Sequence, residues 1–166
     1  MRFNLVDRIV EVQPGKSLHA VKNLTLGEDY LADHFPTFPV MPGVLMLETL
    51  VEAGAWLLRI TDDFTHSVIV LREARNVKYG TFMEPGRQMT IRVELVEQDE
   101  ASATFKGRGE TDGQMTVAAK VKVARYNLRD RDPALAATDE RIVGHLRNLY
   151  SVLRLQPTVA PVVAGP

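Results

Sequence analysis

Three kinds of polar group fall within the fifteen residues from His34 to Glu48 of this 166-residue chain. His34 places an imidazole at the head of a proline-rich loop. Glu48 places a carboxyl group in a run of mostly apolar helix formers. Between them, Pro42-Gly43 marks a helix start, where the first backbone N–H groups lack intrahelical acceptors and carry the positive end of the helix dipole. Elimination of water from a 3-hydroxyacyl thioester needs three such parts. A base takes the C2 proton, an acid protonates the departing C3 hydroxyl, and donors meet the negative charge that builds on the thioester oxygen. Each part also has an ordinary structural reading. A single histidine beside prolines is more often a loop residue than a catalyst. Pro42-Gly43 alone signals only a helix start. Glu48 is the harder residue to explain away, because an unpaired carboxylate on a buried helix is costly.

The elements that must position these groups can be read from the hydrophobic pattern. Residues 3–13 and 16–26 interleave apolar and polar side chains around Pro14-Gly15, which predicts a hairpin with a type II turn. Residues 28–32 suit one short helical turn. Prolines at 36, 39 and 42 then exclude any regular element between His34 and Pro42. From Gly43 to about Ile60 the helix formers are apolar on nearly every side of the wheel, which predicts a buried helix. Four strands follow, at 67–79, 88–97, 102–110 and 114–125, the last two joined at Asp112-Gly113. Two strands, one buried helix and four strands amount to a curved antiparallel sheet around a central helix, an α+β fold. Residues 1–127 form this expected domain. Residues 128–166 add a linker rich in Asp, Pro and Ala, an amphipathic helix at about 139–155, and an extended tail. Ile142, Leu146, Leu149 and Leu153 mark the apolar stripe of that helix, predicted to dock on the domain or on a neighbouring subunit.

The segment HFPTFPVMPGVLMLE, His34 to Glu48, resembles the active-site motif of the β-hydroxyacyl-acyl carrier protein dehydratases. The spacing of the two residues, 48 − 34 = 14, is that family's spacing. FNLVDRIVEVQPGKSLHAVKNLT from Phe3 and VKYGTFMEPGRQM from Val77 resemble its first hairpin and its later strand and Pro-Gly turn. The resemblance implies a hotdog fold, with the sheet wrapped around the long helix. It implies His34 as base, Glu48 as general acid and the Gly43 N–H as the carbonyl donor. It implies a homodimer whose sites pair the His of one subunit with the carboxylate of the other, often assembled into a trimer of dimers. The substrate would ride on the phosphopantetheine of acyl carrier protein, with no metal and no redox cofactor. The chain departs from the family pattern at Asp33 and Thr37, where the family has glycines. It departs also at Glu52, where the family has Gln, and at Arg87, where it has Asp.

Glu52 lies four residues from Glu48 on the same helix face. Either it raises the pKa of Glu48 through like-charge proximity, or it pairs with an arginine such as Arg59 and stabilises an interface. A net charge of −1 gives no global basic field for nucleic acid. The absence of cysteine removes disulfides, thiolate metal sites and cysteine nucleophiles. The most apolar stretch is broken by Pro42, Gly43, Glu48 and Glu52, which argues against a membrane span, and the cytoplasm is the default location. Lys120 and Lys122 share one strand face that could greet an acidic carrier protein, or could simply be solvated. Phe82 and Met83 are candidates for lining the acyl chain, with core packing as the alternative. Other functions consistent with the sequence are a hydratase or dehydratase of CoA thioesters, an enzyme that also isomerises the double bond, and a non-catalytic acyl-binding hotdog subunit.

Overall fold

The structure is a computed structural model, and it describes residues 4–154. Six strands and two helices follow the expected order: β1 (Arg8–Gln13), β2 (Ser17–Asn23), α1 (Gly43–Thr61), β3 (Val68–Tyr79), β4 (Gln88–Gln98), β5 (Ser102–Thr111), β6 (Gln114–Tyr126) and α2 (Ala136–Leu153). The strands make one antiparallel sheet in the order β1-β2-β4-β5-β6-β3. The helix α1 contacts β2 through β6, so the sheet wraps it in the hotdog arrangement.

The turns behave as their residues dictate. At Pro14-Gly15 the Lys16 N–H donates to the Gln13 carbonyl at 2.9 Å, with Gly15 at φ 72°, the positive angle that a type II turn demands. Asp112 and Gly113, at φ 51° and 76°, both take the left-handed backbone of a tight hairpin turn. The first two strands are shorter than the periodicity suggests. The Leu5 N–H leaves the ladder and donates instead to the Glu52 carboxylate.

Alternation places Met89, Ile91 and Val93 of β4, Phe105 of β5, and Val117, Val121 and Val123 of β6 against the helix, all fully buried. From α1 they meet Met46, Leu50, Leu57 and Leu58. Each such side chain contributes about 1.5–3 kcal/mol by leaving water. Helix and sheet approach closely because two glycines permit it. A Cβ on Gly54 would stand 2.9 Å from the Phe105 ring, and one on Gly107 would stand 3.0 Å from Leu50. The opposite side of α1 is less covered than its apolar wheel predicts. Val44 is 69% exposed, Glu48 is exposed, and Glu52 and Arg59 are half-buried.

β3 forms one margin of the sheet, with Val70 and Leu71 exposed on it. After β6 the chain makes two short 3-10 turns, Leu128–Asp130 and Pro133–Leu135, the second capped by the Asp132 side chain accepting from the Ala134 N–H at 3.0 Å. They lead straight into α2, which therefore starts earlier than its apolar stripe suggests. Val143, Leu146, Leu149 and Tyr150 pack on the core, Leu153 is buried, and Tyr150 stacks on Trp56 with ring centroids 6.2 Å apart. The extended tail expected from residue 156 lies outside the described residues.

Candidate active site

His34 follows the 3-10 turn Asp29–Leu31. The next residue, Phe35, has φ 54°, a left-handed backbone that costs a bulky residue about 1–3 kcal/mol and is held only by its surroundings. Here the Phe38 N–H closes a turn onto the Phe35 carbonyl at 2.7 Å, and the Met41 N–H ties the loop to the Met83 carbonyl at 2.9 Å. The loop brings the Val40 carbonyl oxygen to 3.0 Å from His34 Nδ1. A carbonyl can only accept, so Nδ1 carries the hydrogen and Nε2 keeps the lone pair. Nε2 is thus the ring nitrogen left able to accept a proton.

At the start of α1, the Pro42 carbonyl accepts from the N–H groups of Leu45 and Met46, at 2.9 and 3.1 Å. The N–H groups of Gly43 and Val44 precede the first helical hydrogen bond and remain available as donors, with the helix dipole behind them. The Tyr79 ring lies directly against Gly43; a Cβ there would stand 3.0 Å from it. Gly43 therefore allows an aromatic wall beside the helix start, a neighbour that no sequence spacing announced.

Glu48 projects from the less covered side of α1. The side chain as a whole stays accessible, but its carboxyl group is partly sheltered where it lines the α1 groove, and that desolvation raises its pKa toward the protonated form. Burial is also the largest influence on Glu52, again upward. The N–H groups of Leu5 and Val6 and the Trp56 indole oppose it by donating to the carboxylate, at 2.7 Å from Leu5 and 3.4 Å from Trp56. Glu52 thus ties the N-terminal segment to the helix. Its neighbour Arg59 lies over the Trp56 ring, 5.4 Å from the centroid, and burial lowers its pKa to about 10.

Glu48, Glu52 and Arg59 line one groove of about 220 Å³ along α1, bordered across from the helix by Leu146 and Leu149 of α2. His34 is not among its lining residues. Within one protomer, that groove therefore does not bring His34 and Glu48 together. Around His34 the surface is apolar: Phe35, Phe38 and Phe82 are each about half exposed or more, and the Phe38 and Phe82 rings meet edge to face at 5.9 Å. Of the two acyl-lining candidates, Phe82 joins this patch, while Met83 is fully buried in the core. Lys120 and Lys122 share a shallow cleft with Glu73 and Glu97, so that face carries both signs of charge. Arg87 pairs with Asp112 across the hairpin end. His145 is exposed on α2.

Comparison with known proteins gives the family and the fold. The FabA-like domain family matches residues 1–120. The 3-hydroxyacyl-(acyl-carrier-protein) dehydratase FabZ of Albidiferax ferrireducens is 41% identical over 125 residues, covering 74% of this chain and 83% of that protein. The FabZ of Dechloromonas aromatica is 36% identical over 129 residues, covering 76% and 90%. Among solved structures, the dehydratase heterocomplex ApeI:P from Xenorhabdus doucetiae superposes with a TM-score of 0.64 at 18% identity, over 80% of this chain and 90% of that one, a likeness of fold. The family match ends before α2 begins, and α2 supplies the groove's far wall.

Proposed function

The chain belongs to the FabA-like family of β-hydroxyacyl-acyl carrier protein dehydratases, and from that premise we propose that it removes water from a 3-hydroxyacyl thioester carried on acyl carrier protein, giving the trans-2-enoyl thioester of fatty acid biosynthesis. The observation that carries the assignment of roles is the division between the two candidate groups. The Val40 carbonyl holds His34 as a base through Nε2, and burial favours the protonated acid at Glu48. His34 Nε2 takes the C2 proton, the electron pair forms the C2=C3 bond, and the C3–O bond breaks as Glu48 delivers its proton to the departing hydroxyl, releasing water. The N–H of Gly43 donates to the thioester oxygen while charge accumulates there. Protons and a hydroxyl are all that move, so the reaction calls on no metal and no redox cofactor.

The site is completed between two copies of the chain, His34 of one facing Glu48 of the other. The groove beside Glu48 without His34, the exposed apolar patch around His34 and the open apolar margin at β3 support this reading. A homodimer, with a trimer of dimers as its further assembly, is the proposed state, and the cytoplasm the proposed location. Glu52 is proposed to anchor the N-terminal segment at this interface. The test is spectroscopic. Hydration of a trans-2-enoyl thioester on carrier protein removes the conjugated chromophore, so absorbance falls with the enzyme present. An unchanged spectrum with carrier-protein and CoA thioesters alike would leave an acyl-binding subunit instead.

A further inference from the structure

The groove that begins at Glu48 runs along α1 to Arg59. Eleven residues separate the two, about 16 Å of helix rise. Its middle is apolar, lined by Val51, Ala55 and Leu149, which suits an alkyl chain. Its far end is not. The Arg59 Nε is buried and meets no hydrogen-bond acceptor among the described residues. A buried donor without a partner is expensive to keep and is an opening for a ligand. Glu52 does not fill it: its oxygens accept from Leu5 and Trp56, and neither makes a hydrogen bond with the Arg59 Nε. Glu52 does balance the charge, as its field favours the cationic form of Arg59. The unmet demand at this end is therefore for an acceptor oxygen, and a second negative charge is unnecessary.

Resting on the dehydratase reading above, we propose that the acyl tail lies in this groove under α2, and that Arg59 selects tails whose distal end carries a neutral acceptor oxygen, such as a ketone or hydroxyl. Leu146 and Leu149 border the groove on its α2 side. A tail ending in methyl would bury the guanidinium against hydrocarbon and leave the donor unmet. A short acyl group would not reach it.

The experiment compares three 3-hydroxyacyl carrier-protein substrates on the full-length protein. One is a four-carbon chain; the others are long enough to reach Arg59 and end in a methyl or in a methyl ketone. The ketone should exceed the methyl chain in kcat/KM by about tenfold or more, the effect of a hydrogen bond to a charged group. Arg59→Met should erase that preference, read as the ratio of the two long chains with the four-carbon rate as the check on folding, while Arg59→Lys should keep part of it. Equal kcat/KM for the two long chains in the wild type, or a preference that survives Arg59→Met, overturns the proposal. Should Arg59→Met lose the four-carbon activity through misfolding, Leu149→Phe serves in its place. It must slow both long chains and spare the short one, and sparing all three overturns the proposal. Failure of the wild type on every chain would refute dehydration instead. The Tm shift given by each long enoyl thioester still reads the groove, and the ketone must give the larger shift.

Discussion

At the scale of single residues, two substitutions test the assigned chemistry. His34→Ala removes the base, and Glu48→Gln keeps the shape of the side chain but cannot deliver a proton. Each should lower turnover about 10²–10⁴-fold in the enoyl hydration assay. A near wild-type rate for either variant removes that residue from the mechanism. The pH profile separates Glu48 from Glu52. Because the Glu48 pKa is raised by burial, the alkaline limb of dehydration should lie above the ordinary glutamate value of about 4.3. Burial raises the Glu48 pKa and the two carboxylates also repel one another, so Glu52→Gln should leave most of the upward displacement of the limb in place. A limb that loses most of that displacement would make the Glu52 charge the controlling influence. Glu52 should matter for stability instead. Glu52→Ala leaves the Leu5 N–H and the Trp56 indole without their acceptor, a loss of about 1–3 kcal/mol by denaturant unfolding. Glu52→Gln, which keeps an acceptor oxygen, should lose less.

At the scale of elements, α2 is fastened near its start and again in its second half. Near its start, the fully buried Asp139 accepts from the Ser67 hydroxyl and from the N–H groups of Leu128 and Arg129, at 2.9 and 3.0 Å. Further along, Arg147 donates to the Asp63 side chain at 2.8 Å and backbone carbonyl at 2.7 Å, and lies over the Phe64 ring. Burial would raise the Asp139 pKa, but the Ser67 hydroxyl and the two backbone donors outweigh it and hold the pKa below the ordinary range. A carboxylate depressed in the folded state stabilises above its unfolded value, about 3.9, and that stabilisation is lost as pH falls through the folded value. Acidification should therefore release α2 before the sheet unfolds, with loss of the Trp56–Tyr150 stacking visible in tryptophan fluorescence. Asp139→Ala should show the released spectrum at neutral pH. If both spectra stay native, other contacts carry the docking. Truncation after Asn127 uncovers the Trp56 side of α1 and should lower Tm by about 5 °C or more.

At the scale of the whole molecule, the protomer is an incomplete enzyme in the proposed mechanism, and assembly becomes a requirement for activity. Hydrophobic burial drives such pairing, and an uncovered strand margin with apolar side chains is a ready template for it. Leu71→Lys on β3 should shift the protein from dimer to monomer in sedimentation and abolish dehydration along with it. Fully active monomers would contradict the shared site. Subunit exchange offers a sharper reading. A mixture of His34→Ala and Glu48→Gln proteins should recover activity that neither has alone, because one site of each mixed dimer holds an intact pair. Mixtures as inactive as their parents would place both residues in one protomer.

Local chemistry made much of this protein legible in its sequence. The type II turn at Pro14-Gly15, the hairpin at Asp112-Gly113, the alternation of β4 and the amphipathic stripe of α2 are set by short-range sterics and periodicity, and the structure keeps all four. The family, and with it the fold, was legible from the motif between His34 and Glu48, because both groups and the helix start lie within one short segment. Long-range contacts decided the rest. The tautomer of His34 depends on a carbonyl six residues away, aimed by the left-handed backbone at Phe35, a residue that gives no propensity for it. Glu52 could have modulated Glu48 or faced an arginine. Its backbone donor Leu5 comes from 47 residues away, and helical spacing cannot report it. The groove from Glu48 to Arg59 exists because α2, nearly a hundred residues downstream, folds back over α1. Sequence periodicity showed that the stripe on α2 must be buried, and only tertiary packing determined the surface that buries it.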